Sequence, residues 1–260
     1  MIIALVAFAA LLGLVVGSFL NVVIWRVPRG ESIVRPPSHC PGCAEPIAPR
    51  DNVPVLSWLL LRGKCRKCGT RISVRYPLVE LGTAALFALI AVRFGFDPAI
   101  PAFLYLAAVG LALALIDIDH KRLPFAMTIP SYPVALVLLT VAALVDGHPG
   151  RLVQMLAGML GLFGFYFLLN LVSPRGMGFG DVMLSGILGL YLGYLGWGPL
   201  LVGAFLGFLL GAIGGLLFIA IGRGGRKSHI PFGPYMLAGA LVAILFGHEL
   251  ARAYVHATLG

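Results

Sequence analysis

Residues 182–221, VMLSGILGLYLGYLGWGPLLVGAFLGFLLGAIGGLLFIAI, run for forty positions without a charged side chain. About 20 apolar helical residues cross the hydrocarbon core of a bilayer, so the run is long enough to cross twice. Gly196-Trp197-Gly198-Pro199 supplies the break between the passes. Working outward, comparable runs recur along most of the chain. The full set is residues 2–24, 79–96, 101–117, 127–145, 152–172, 182–197, 200–222 and 234–256. The expected fold is an all-α polytopic membrane protein of about eight transmembrane helices.

Composition agrees with that reading. Hydrophobic residues make up 60% of the chain and charged residues 11%, against about 25% charged in soluble domains. Mean hydropathy is +0.99. No basic segment precedes the first run, and Asn21-Val22-Val23-Ile24-Trp25-Arg26 offers no small-residue cleavage site. It reads as a retained helix rather than a signal peptide.

The net charge of +9 points to nucleic acid until the charges are placed. Ten of the nineteen Lys and Arg lie between the first two runs: Arg26, Arg29, Arg35, Arg50, Arg62, Lys64, Arg66, Lys67, Arg71 and Arg75. Alternating sides puts Lys121, Arg122, Arg175, Arg223, Arg226 and Lys227 with them, and only Arg93, Arg151 and Arg252 opposite. The positive-inside rule then makes the long loop cytoplasmic and both termini external. The basic balance reports topology, and no nucleic-acid partner is expected.

That loop carries all four cysteines, as Cys40-Pro41-Gly42-Cys43 and Cys65-Arg66-Lys67-Cys68-Gly69. Two CxxC pairs at short separation match a four-cysteine zinc site, with Gly42 and Gly69 suiting the tight turns. Two disulfides are the competing reading, which a reducing cytoplasm disfavours. With four thiolates as ligands the zinc would be structural, folding a loop too small for its own core.

Only ten acidic residues exist, so those in or beside apolar runs are informative. Glu80 begins the second run, Asp117 and Asp119 end the third, and Asp181 opens the sixth after Gly178-Phe179-Gly180. Asp181 could be an N-cap, but that leaves the two glycines unexplained, and these allow close approach of another chain. Asp117 sits near a helix C-terminus, where a negative charge opposes the helix dipole. Asp119 lies on another helix face and reads as interfacial, beside His120, Lys121 and Arg122. Alternation brings Asp117 and Asp181 to one depth at the cytoplasmic boundary. From the residues alone, aspartyl protease chemistry and a structural or transport role both stay open.

The chain closely resembles the bacterial prepilin peptidases, bifunctional GxGD membrane aspartic proteases. The resemblance rests on Gly17-Ser18-Phe19-Leu20-Asn21-Val22-Val23, the two cysteine pairs and Arg75-Tyr76-Pro77-Leu78-Val79-Glu80. It continues through Ile116-Asp117 with Leu123-Pro124, Gly176-Met177-Gly178-Phe179-Gly180-Asp181 and Ile230-Pro231-Phe232-Gly233-Pro234-Tyr235. These appear in family order over nearly the whole chain. The resemblance implies removal of the short basic leader of type IV prepilins and type II secretion pseudopilins after a glycine. It further implies N-methylation of the new N-terminal residue with S-adenosylmethionine, and Asp117 and Asp181 as the catalytic pair.

It also implies a bacterial inner-membrane location, with the active site at the cytoplasmic face and prepilins, pseudopilins and the lipid bilayer as partners. The expected division is 1–25 as a first transmembrane helix and 26–78 as a cytoplasmic zinc-binding domain linked to methylation. Residues 79–260 then form a membrane-embedded peptidase core of about seven helices. Two positions depart from the family: Met183 stands where Lys is common, and Phe125 where Asp follows Leu-Pro. Loss of a positive charge near Asp181 predicts a shifted pH optimum. Glu31, Glu45, Asp51 and Asp119 are the acids available to a basic leader. Gly203, Gly207, Gly211 and Gly215, and likewise Gly13 and Gly17, predict close helix packing. Glu80 stays outside the catalytic set, with the methyl donor, the substrate amine or Arg75 as its possible partners.

Overall fold

The computed structural model describes residues 1–174, 177–220 and 231–259. Arg175, Gly176, residues 221–222, Arg223, Arg226, Lys227 and Ile230, all used above, lie outside the described residues. The described chain forms α1 (Ile2–Arg26), α2 (Leu56–Leu60), α3 (Arg75–Phe94), α4 (Ile100–His120) and α5 (Phe125–Val145). It continues with α6 (Gly150–Val172), α7 (Phe179–Leu195), α8 (Trp197–Ala220) and α9 (Gly233–Leu259). Seven of these are long and apolar enough to span a membrane, and α7 is a shorter apolar helix. With α7 the expected eight are present. The break between α7 and α8 is the single residue Gly196, at φ 115°, a conformation that favours glycine.

Helix ends differ from expectation where caps extend them. α4 runs on to His120, so Asp117 lies inside its last turn. Lys121 takes φ 52° and returns its N–H to the Asp117 carbonyl at 2.7 Å, closing the helix in a left-handed cap. α7 starts at Phe179 with Gly178 as N-cap, which makes Asp181 its third helical residue and not its cap.

The chain divides into two compact units, Met1–Ala112 and Leu113–Gly260. In the first, α1 packs on α3 through Gly13 and Gly17. A Cβ at Gly13 would lie 2.6 Å from the Ala84 Cα, and one at Gly17 would lie 2.7 Å from the Glu80 Cα. Backbones this close replace hydrophobic packing as the cohesive contact between membrane helices.

In the second unit α7 is in contact with α5, α6, α8 and α9. Apart from Met183, every residue from Val182 to Tyr194 is buried, so lipid meets little of this helix. α6 and α7 meet glycine to glycine: a Cβ at Gly189 would lie 2.3 Å from the Gly158 carbonyl oxygen. The predicted stripe on α8 is partly realised against α9, where a Cβ at Gly239 would lie 2.5 Å from the Gly207 nitrogen, and Gly211 faces the Phe232 ring.

Candidate active site and metal centre

Asp117 and Asp181 are both buried, 4% and 9% exposed. Asp117 stands in the last turn of α4, where the carbonyl end of the helix offers it no donor and repels its charge. Its donor comes from the first residue of α9: the Gly233 N–H reaches Oδ2 at 3.0 Å. Asp181 is in the first turn of α7, where the dipole favours an anion. The Gly178 N–H donates to its Oδ2 at 3.1 Å, and the Asp181 N–H returns to the Gly178 carbonyl at 3.0 Å. Each carboxylate is thus fixed by one oxygen.

Leu123, in the corner between α4 and α5, joins the two settings. A Cβ at Gly180 would lie 2.9 Å from the Leu123 Cβ, and one at Gly233 would come within 3.3 Å of a Leu123 methyl. The residue before Asp181 and the residue bonded to Asp117 therefore rest on one side chain. The close approach expected of the GxG glycines is met at Gly180, by Leu123. Asp119, expected on another face, is exposed.

The two departures are also placed. Phe125 packs edge-on against Phe179, ring centroids 6.2 Å apart, putting an aromatic pair beside the start of α7. The Met183 carbonyl accepts the Tyr132 hydroxyl at 2.7 Å, tying α5 to α7. Sequence reading missed Tyr166, which is buried and joins a ring cluster with Phe208 and Phe232. A tyrosine in an apolar run carries no signal that separates it from an interfacial anchor.

In the other unit the four sulfurs of Cys40, Cys43, Cys65 and Cys68 all lie within 4.8 Å of one another, and all four cysteines are free. The Cys40 and Cys68 sulfurs are 3.7 Å apart. Tetrahedral zinc with sulfur at about 2.3 Å requires an edge of about 3.8 Å, so the donor set fits a metal. Both pairs form the same turn: the Ala44 N–H returns to the Cys40 carbonyl at 2.8 Å, and the Gly69 N–H to that of Cys65 at 3.0 Å. The positive φ falls on Ala44 (57°) and Gly69 (71°). The expectation for Gly42 is corrected here. Gly42 admits Thr70, whose hydroxyl would sit 2.4 Å from a Cβ there, while Ala44 takes the turn.

Hydrogen bonding with Thr70 brings the Cys68 thiol down to about 6, toward the thiolate a metal requires. The backbone of Glu45 acts to lower the Cys43 thiol, yet the adjoining Cys68 sulfur carries it up to about 12.

Comparison with known proteins places these features. Residues 11–94 match the Bacterial Peptidase A24 N-terminal domain, and residues 103–219 match the Type IV leader peptidase family. A Prepilin leader peptidase/N-methyltransferase of Stutzerimonas stutzeri is 36% identical over 97% of this chain and 94% of its own length. The chain belongs to the type IV leader peptidase family. A relative of the same name from Bacillus subtilis is 34% identical over 95% of this chain and 97% of its own. One from Myxococcus xanthus is 42% identical over 85% of this chain and 65% of its own. No solved structure matches.

Within this leader peptidase, the loop acids offered to a basic substrate segment are partly engaged. Arg66 grips Asp51 with two nitrogens, its Nη2 at 2.7 Å, and holds that carboxyl below the usual carboxylate range. Lys67 pairs with Glu45. Glu80 is 7% exposed; it accepts the Val55 N–H at 2.6 Å and bonds Ser18. Val55 takes φ 59°, a genuine outlier for a β-branched residue. Glu80 therefore secures a strained turn of the loop to α1 and α3, a role its position in the sequence did not reveal.

Proposed function

We propose that this protein is a membrane aspartic endopeptidase that removes the short basic leader of type IV prepilins and type II secretion pseudopilins after a glycine. It then N-methylates the new N-terminal residue, with S-adenosylmethionine as cosubstrate. The observation that carries the reading is the pair Asp117 and Asp181. They are two buried carboxylates from different helices, each held by a backbone N–H, and the glycine before Asp181 and the glycine bonded to Asp117 both adjoin Leu123.

Two carboxylates at such a site cannot both ionise cheaply, so they share a proton. The ionised member takes a proton from water as the water attacks the scissile carbonyl. The protonated member donates to the carbonyl oxygen, and a proton then passes to the leaving amine. Oδ2 of each is committed to its N–H donor, which leaves Oδ1 for this work. The pair titrates as a unit.

The positive-inside distribution supports a cytoplasmic boundary for both aspartates and external termini, and the family match supports a bacterial inner membrane. A basic leader remains inside while the following apolar helix stays in the bilayer, so the scissile bond lies at that depth. Cys40, Cys43, Cys65 and Cys68 would hold a structural zinc that folds the loop. With all four positions filled by sulfur, this metal takes no part in hydrolysis.

The test is cleavage of a purified prepilin by wild type, Asp117→Asn and Asp181→Asn. Each variant is expected to lose at least about a thousandfold in rate, with folding retained. Cleavage at the wild-type rate in both variants would exclude the pair.

A further inference from the structure

We propose that Gly233 is a positioning residue for Asp117, fixing the reacting carboxylate from the start of the last helix with Leu123 as the spacer. The inference rests on the reading of Asp117 as one of the catalytic pair. Asp117 lacks any donor from the end of its own helix, and the N–H that fixes its Oδ2 comes from a residue 116 positions later. Gly233 is the first residue of α9, so its N–H is one of the four that no intrahelical carbonyl satisfies. That N–H points to the carboxylate together with the positive end of the α9 dipole.

The contact demands glycine for a steric reason. A Cβ at position 233 would lie 2.9 Å from Asp117 Oδ2, and 3.3 and 3.4 Å from the two Leu123 methyls. The backbone conformation is open to any residue, so a side chain is opposed by contact alone, and the groups that must give are the Asp117 carboxylate and the Leu123 methyls. Leu123 is buried and also touches the Gly180 position, one residue before Asp181. Moving α9 away to relieve the clash would carry off the donor, and moving Leu123 would disturb the setting of the second aspartate. Rotation of Asp117 is the remaining escape, and it costs the alignment of Oδ1 with the bound water.

The experiment uses the full chain and a purified prepilin. Gly233→Ala is expected to lower kcat about 10–100-fold with KM little changed, because misplacement of a reacting group acts on the chemical step. It is also expected to displace one limb of the pH–rate profile, since the carboxylate loses its donor. Methyl transfer to a pre-cleaved pilin should persist and serves as the check on folding. Wild-type kcat in Gly233→Ala, or a lower kcat with an unmoved pH profile, overturns the proposal.

If Gly233→Ala does not fold, hydrogen exchange decides. Exchange of the Gly233 amide is expected to be at least about tenfold faster in Asp117→Ala than in wild type, as the acceptor is gone. Equal rates overturn the proposal. Failure of the catalytic pair itself appears elsewhere, as retained cleavage in Asp117→Asn and Asp181→Asn, and leaves the exchange result standing.

Discussion

A carboxylate in the last turn of a helix faces the negative end of that helix, and at Asp117 it does so within an apolar setting. The cost is offset by one borrowed N–H, while Asp181 has its donor three residues away in its own turn. Equal residue types thus have unequal supports, a difference that would let the proposed pair divide acid and base roles. Met183 belongs to this scale. Residues two apart on a helix do not face each other, so a cation at 183 acts on Asp181 through distance and not through a bond. Met183→Lys is expected to move the acidic limb of the pH–rate profile to lower pH by about one unit at most, because a positive charge favours the ionised carboxylate. A limb that stays in place or moves upward counts against it.

At the scale of elements, α7 has 17 residues and rises about 25 Å, short of the roughly 30 Å hydrocarbon core. Surrounding helices bury it, so it has no need to match the bilayer. Its fit to α6 depends on Gly158, Gly189 and Gly193, and a side chain at 189 meets backbone that cannot give way. Gly189→Ala is expected to destabilise the protein by about 1–3 kcal/mol, read as a lower thermal midpoint in detergent. The apolar helices were legible because a soluble core rarely tolerates charge-free runs of bilayer length. The cysteine cluster was legible from spacing, and both aspartates from their rarity.

What stayed hidden was pairing. Nothing in residues 158–193 says that these glycines meet each other when Gly161 and Gly164 of α6 meet nothing. Gly42 and Ala44 likewise look interchangeable as turn formers until Thr70 occupies the space beside one of them. The donor for Asp117 could not be read from sequence, since contacts over such separations leave no periodic trace.

For the molecule as a whole, the two compact units carry different chemistry, with the cysteine cluster in the first and the aspartate pair in the second. Replacing Cys40 and Cys65 by Ser is expected to abolish bound zinc and lower methylation while leader cleavage continues, as measured by metal content and the two activities on one pilin. Undiminished zinc, or loss of cleavage with methylation intact, runs against it.

The bond from Gly233 to Asp117 also sets an order of events during synthesis. Asp117 leaves the ribosome more than a hundred residues ahead of the amide that fixes it. A nascent chain carries both aspartates well before α9 exists, with the donor for Asp181 already present at Gly178 and the donor for Asp117 still to come. As the proposed catalytic pair, the two aspartates are therefore complete only once the last helix has been made.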